Sequence, residues 1–305
     1  MTRVTAVVLN WRRADDTIAC VRSLADHAPD VDVTVVDNAS GDGSLERIRA
    51  AFPSVTLIEH DRNDGYAGGN NVGIASALEA DPDAVLILNN DVVVEPGTVQ
   101  GLVPWLGRGW GIVAPLSLKA DDPTICDFFT ARVDLRNMAL LAQGRDEPWP
   151  GSVEPRQTDY ATGSAMLIDA CLLRALGGFD ERFFLVWEDV DLCLRAQRMG
   201  ARVLTVPDAK VLHGRGRSFG GDGSPLFKYF FVRNSFLVLE RHGRWPWKRR
   251  THRMIERRYR GWTEQRDGDA AAARAIALGL EHGLANRYGP PPDELTGPVA
   301  GSAAT

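Results

Sequence analysis

Four short apolar runs rich in β-branched residues, over 5–10, 31–37, 55–60 and 84–89, alternate with stretches of helical character through the first third of the chain. That alternation predicts βαβ units and a mostly parallel sheet flanked by helices. The fourth run, AVLILNND, has no turn residue inside it and stops abruptly at Asn89, Asn90 and Asp91. A run apolar at successive positions reads as a strand buried on both faces. Its polar end then lies at the carboxyl edge of the sheet, where open α/β sheets bind ligands, and Asp91 could hold a hard cation and a phosphate there. An Asn-Asn-Asp turn after an ordinary strand is the other reading. Asn10 and Asp37 end their own runs at the same edge, so with Asp91 they are expected to line one crevice.

Between these runs, Asp42-Gly43-Ser44 feeds a helix from Ser44, and a glycine and amide loop over 63–71 feeds one that starts near Asn71. A further helix is expected up to Leu106. The segment 119–156 has no clear period and reads as an irregular insertion over the site. Order returns with a strand over 160–169, a short helix, a Gly177-Gly178 turn and a helix over 188–199 stopped by Gly200. Two short strands follow, over 202–206 and 209–213. From Pro225 the pattern is helical, and the proline-rich tail 289–305 is expected to be disordered.

The chain has 305 residues, 44% hydrophobic and 25% charged, which is ordinary globular composition. A net charge of −5 argues against nucleic acid as the partner of the whole chain. Cys20, Cys126, Cys171 and Cys193 are widely spaced, without a CxxC pair or zinc spacing, and read as buried thiols of a reducing compartment. No apolar run approaches the roughly 20 residues of a membrane span, and no signal segment opens the chain, so a cytoplasmic protein is expected. The exception to the acidic balance is 241–260, with nine Lys or Arg against one Glu and with Trp245, Trp247 and Tyr259 among them. That mixture suits an anionic membrane surface at the inner face. Pairing with the acidic body of the protein, or with a second subunit in a homo-oligomer, is the other reading.

A second acidic cluster, WEDVDLCLR, carries Glu188, Asp189 and Asp191 at a helix start, where they could simply complement the macrodipole. The aromatics Phe179, Phe183 and Phe184 precede it, and an apolar wall can raise a carboxylate toward useful basicity. Taken in order, LNW, VDNAS, GYAGGNN, LNND, GGFDERFF, WEDVDLCLR, and His213 followed by an aromatic segment with Arg233-Asn234 resemble family 2 glycosyltransferases of the GT-A fold. The rhamnosyltransferase-like subgroup is the most similar, and the resemblance covers roughly 4–240.

The resemblance implies an inverting transfer of a sugar from a nucleotide diphosphate to an acceptor hydroxyl. It implies a GT-A catalytic domain over 1–222, its nucleotide-binding half at 1–95 and acceptor-side half at 96–222, followed by a helical extension over 223–288. Asp37 would meet the pyrimidine base, and Asn10 and Trp11 would help enclose the nucleoside. Asn38, Asn63, Gly68, Gly69, Asn70 and Asn90 would border the nucleotide. Asp91 matches the carboxylate on a diphosphate-bound Mn2+ or Mg2+, His213 a histidine that completes that site, and Asp189 the general base. Asn89 stands where many relatives carry a second carboxylate, so weak metal binding until the donor's phosphates contribute is expected. Arg233 would reach the donor phosphates or the acceptor, with a packing role equally open. The donor expected first is dTDP-L-rhamnose, then a UDP-hexose. The acceptor would be a glycan, a lipid-linked polysaccharide intermediate or a small molecule. A nucleotidyltransferase would want a basic, glycine-rich loop near the amino terminus, where only Arg12 and Arg13 stand; a non-catalytic nucleotide-sugar-binding protein is the non-enzyme alternative.

Overall fold

The computed structural model describes residues 2–151, 153–214, 220–221, 223–244, 247–264 and 269–296. Its first half alternates as the apolar runs require: β1 (Val4–Asn10), α1 (Ala14–His27), β2 (Asp32–Asn38), α2 (Ser44–Ala51), β3 (Thr56–His60), α3 (Gly65–Glu79), β4 (Ala84–Asn89), β5 (Val92–Val94) and α4 (Thr98–Leu102). The second half holds β6 (Trp110–Lys119), β7 (Cys126–Phe128), β8 (Thr130–Asp134), β9 (Ala139–Gln143), β10 (Arg156–Thr158), β11 (Ala165–Asp169), α5 (Ala170–Leu176), α6 (Glu188–Arg198) and β12 (Arg202–His213). Four helices follow: α7 (Pro225–His242), α8 (Trp247–Glu264), α9 (Ala270–Leu284) and α10 (Asp293–Thr296).

The main sheet runs β10-β12-β6-β11-β4-β1-β2-β3, with β5 added to β12 and β7 to β6. β3, β2, β1 and β4 are parallel to their neighbours, β11 is antiparallel to β4 and β6, and β6 and β12 are parallel. This is the expected mixed, mostly parallel α/β sheet. The two faces follow from the period of two along each strand. Ala84, Leu86 and Leu88 join Val4, Ala6 and Val8 in one core under α1, while Val85 and Ile87 join Val7 in the other.

Several expectations are corrected, among them the burial of Cys171, which is exposed. α3 begins at Gly65, so most of the glycine and amide loop is helix. Its glycines serve packing: a Cβ on Gly69 would stand 2.6 Å from Leu9 Cδ1, and one on Gly73 would stand 2.4 Å from Val7 Cγ1. The 119–156 insertion contains β7, β8 and β9, and β10 opens at Arg156. The two strands over 202–213 are one, β12, with an irregularity between Val206 and Lys210. The strand over 160–169 begins only at Ala165.

In the helical part α7 packs on α9 at close range, because a Cβ on Gly279 would meet Tyr229 O at 2.6 Å. α8 buries Thr251, Ile255 and Tyr259 and leaves Arg250, Arg253 and Arg257 exposed. Trp245, part of the membrane reading, lies outside the described residues. The tail expected to be disordered from 289 forms the α10 turn before 297–305 leave the described residues, and Arg233 Nη1 donates to Gly289 O at 2.6 Å to hold its start. Among the described residues, no helix is long and apolar enough to cross a membrane.

Candidate active site

The carboxyl ends of β1, β2 and β4 open onto a cavity of about 1170 Å³. Trp11, Asn38, Asn63, Asn90 and Asp91 line it from the nucleotide-binding side expected from the sequence. Glu188, Asp189 and His213 line the same cavity. The two acidic clusters, about a hundred residues apart in the chain, therefore share one space.

Strand pairing brings Asp91 and His213 together. β5 lies antiparallel to the end of β12, with His213 opposite Val92, the residue after Asp91. Asp91 O also accepts a hydrogen bond from Gly214 N at 2.8 Å. His213 Nε2 lies 3.3 Å from Asp91 Oδ1, is buried and closes no hydrogen bond of good geometry among the described residues. Nδ1 lies 2.8 Å from Asp127 Oδ2, whose carboxylate also accepts from Ser117 Oγ at 2.9 Å. Burial alone would push the imidazole down, but Asp127 and Asp91 outweigh it and raise its pKa to about 9. Asp127 was missed in the sequence because β7 lies in the segment read as irregular. The signal was present: a lone carboxylate between Cys126 and Phe128 has the form that drew attention to Asp91.

Asp189 is held by backbone. Its Oδ2 accepts from Gly163 N at 3.1 Å and its Oδ1 from Val190 N at 2.7 Å. Burial raises its pKa, and those backbone hydrogen bonds only partly offset the rise. The Gly163 peptide is fixed on its other side by Tyr66 Oη, which donates to Gly163 O at 2.6 Å. The loop before α6 is strained: Phe184, Val186 and Trp187 have φ of 62°, 69° and 78°. It stays in place because Asn234 Nδ2 donates to Phe183 O, Leu185 O and Val186 O at 2.9, 2.8 and 2.8 Å. Arg233 Nη2 adds Phe183 O at 2.9 Å.

Several predicted residues are not on the cavity wall. Arg233 is 0% exposed, and its guanidinium is committed to the Phe183, Arg182 and Gly289 carbonyls, so it braces the loop instead of reaching a phosphate. Asn10 and Asp37 are buried behind the wall in one network. Asn10 Nδ2 donates to Asp37 Oδ1 at 2.6 Å, Ser40 bonds Asp37 through Oγ and N, and Thr17 Oγ1 donates to Asn10 Oδ1 at 2.6 Å. Asn90 joins this network through Thr17 Oγ1 at 3.2 Å. Gly68, Gly69 and Asn70 are buried within α3, where Asn70 Nδ2 donates to Tyr66 O at 2.9 Å. Asn38 does face the cavity, and it ties β2 to α3 by donating to Asn63 Oδ1 and Gly65 O, each at 3.0 Å.

Among the described residues, no group of three or more His, Cys, Asp or Glu side chains is arranged as a metal cage. Asp91 and His213 still fit a cation that brings other ligands with it. Among the described residues His213 Nε2 is an unsatisfied buried nitrogen beside a carboxylate oxygen, and its Nδ1 is held by a second carboxylate, a pattern that orients metal-binding histidines. The arrangement offers a place for a charged, metal-bound group at one pole and a proton acceptor at the other.

Comparison with known proteins agrees with the motif order. Residues 2–245 match the family described as "Glycosyltransferase like family 2". The N-acetylglucosaminyl-diphospho-decaprenol L-rhamnosyltransferase of Mycobacterium tuberculosis is 30% identical over 73% of this chain and 79% of its own. The dTDP-rhamnosyl transferase RfbF of Shigella flexneri is 25% identical over 69% and 71%. Among solved structures, GalNAc-T7 superimposes with a TM-score of 0.65 at 15% identity, covering 93% of this chain and 56% of that one. The chain belongs to glycosyltransferase family 2 and is a glycosyltransferase of the GT-A fold.

Proposed function

We propose that this glycosyltransferase transfers L-rhamnose from dTDP-L-rhamnose to an acceptor hydroxyl with inversion, a divalent cation on the diphosphate and Asp189 as base. The reading is supported most by one observation: Asp91, His213 and Asp189 line a single cavity of about 1170 Å³, large enough for a nucleotide sugar. The two rhamnosyltransferase relatives support the donor. Manganese, present with UDP and GalNAc in the GalNAc-T7 structure, suits a site that mixes carboxylate and imidazole.

Asp91 and His213 would hold the cation, which supplies neutralisation of charge as the nucleoside diphosphate leaves. Trp11, Asn38, Asn63 and Asn90 line the side where the nucleotide would sit. The buried Asn10–Asp37 network shapes that side from behind. The acceptor hydroxyl attacks the anomeric carbon, its proton passes to Asp189, and the bond to the diphosphate breaks on the opposite face. The two backbone N–H groups on Asp189 keep the carboxylate oriented, and its raised pKa makes it a stronger base. A positioned base contributes about 10²–10⁴-fold.

The catalytic unit would be 1–222, with nucleotide-binding and acceptor-side halves meeting near residue 95, and 223–288 would brace it. The acceptor would be a glycan carried on a lipid, met at the cytoplasmic face of a membrane that the arginines of α8 approach. Assay of a donor panel with manganese tests the reading: Asp189→Asn should bind nucleotide yet lose transfer, and Asp91→Ala should lose metal-dependent nucleotide binding. Normal turnover by Asp189→Asn removes the base assignment. Turnover of a UDP-hexose in preference to dTDP-L-rhamnose replaces the donor.

A further inference from the structure

Beside the proposed base stands a second carboxyl that the reaction above does not use. Glu188, the first residue of α6, lines the cavity and is 5% exposed, and its Oε2 is buried with no hydrogen-bond partner among the described residues. A carboxyl oxygen withheld from water and left unpaired costs free energy. Capping does not account for it. At a helix start the free backbone N–H groups would satisfy an acid; here Asp189 takes that of Val190, with Gly163 N from a facing loop, and the Glu188 carboxyl is reached by its own backbone N–H, while its Oε2 takes none among the described residues. Such an oxygen in a cavity wall is a place for a substrate group.

We propose that Glu188 is a specificity residue for the acceptor, its carboxyl hydrogen-bonding a hydroxyl next to the one that Asp189 deprotonates. The inference rests on Asp189 being the base. A sugar acceptor offers neighbouring hydroxyls, one for each of the two successive carboxyls. Asp189 and Asp191 on its own helix favour the neutral form of Glu188, its own backbone N–H opposes it, and Tyr66 from α3 faces it as an uncharged phenol. Burial first, then the charge of Asp189, hold its carboxyl well above the ordinary range. Of the pair, Glu188 is the one that holds its proton longer, and Asp189, which accepts from Gly163 N and Val190 N, is the one that ionises first.

The test uses the full chain with manganese, dTDP-L-rhamnose and octyl N-acetylglucosaminide as the acceptor probe. Glu188→Ala should raise the acceptor KM about tenfold, as expected for one lost hydrogen bond. Glu188→Gln keeps an uncharged donor and should stay within about threefold of wild type. The acid limb of its pH–rate profile should not move. An unchanged acceptor KM in Glu188→Ala overturns the inference, as does an acid limb that falls by a full pH unit in Glu188→Gln, which would mean that Glu188 is ionised. A turnover-competent Asp189→Asn instead overturns the base assignment, so the two failures are distinguishable. Thermal unfolding gives an arm that needs no substrate. Above about pH 4.3 the unfolded chain ionises Glu188 while the folded chain retains its proton, so wild type loses stability with rising pH at this position and Glu188→Gln does not. The Tm difference in favour of Glu188→Gln should widen as pH rises above about 4.5, and a flat or shrinking difference overturns the neutral acid.

Discussion

Replacing Asn234 by Ala removes the brace on the loop that delivers Asp189. The Asn234 amide has two N–H groups, and the structure shares them among Phe183 O, Leu185 O and Val186 O at 2.8–2.9 Å. Two buried hydrogen bonds at about 1 kcal/mol each amount to about 2 kcal/mol. They oppose a backbone that carries positive φ at Phe184, Val186 and Trp187, each about 1–3 kcal/mol less favourable than an ordinary conformation. Freed from the amide, the loop relaxes and carries Asp189 out of place. If the full 2 kcal/mol falls on the population of the competent loop, kcat drops about 30-fold. The donor KM should change less than kcat, because Trp11, Asn38 and Asn90 stand at the carboxyl ends of β1, β2 and β4 and not on that loop. Steady-state kinetics with the donor varied at saturating acceptor separates the two. A wild-type kcat in Asn234→Ala, or a loss confined to donor KM, would show that the loop needs no brace.

The remaining predictions address other parts of the site. Transfer should decline on acidification at a pH above the ordinary aspartate range: the base works only when ionised, and burial raises the Asp189 pKa. A pH–kcat/KM profile whose acid limb lies at or below the value of an exposed aspartate contradicts this. Asp127→Ala leaves the His213 ring without its orienting carboxylate, so manganese-dependent binding of dTDP should weaken about 10–100-fold by calorimetry; unchanged binding would remove His213 from the cation site. Gly73→Ala places a methyl 2.4 Å from Val7 Cγ1 and should cost about 1–3 kcal/mol, read as a lower midpoint in urea. An unchanged midpoint would mean that α3 can slide off β1 without penalty.

Legibility in the sequence followed the kind of signal each element carries. β1, β2 and β4 were readable because apolar runs ending in Asn10, Asp37 and Asn89 admit little but buried strands with a polar edge, and the alternation carried β3, an edge strand with no buried residue. Asp91 and Asp189 were readable because acids beside apolar runs stand out. The start of α3 was not, because glycines mark loops by propensity, and only the closeness of Leu9 and Val7 shows that these glycines seat a helix. For Arg233 the resemblance implies the donor phosphates or the acceptor with a packing role equally open, and the sequence could not choose, because its carbonyl partners on the Phe183 loop and at Gly289 come from segments about 50 residues before and after it. The ordering of 289–296 was hidden for the same reason, since composition alone speaks for disorder there.

A crystal soaked with manganese and dTDP, phased on the manganese anomalous signal, tests the central claim most directly. The account predicts a single strong peak between Asp91 and His213 Nε2, diphosphate oxygens completing the coordination, and Asp189 across the same cavity from the phosphates. A manganese ion and nucleotide bound elsewhere, or with Asp189 walled off from them, would contradict it.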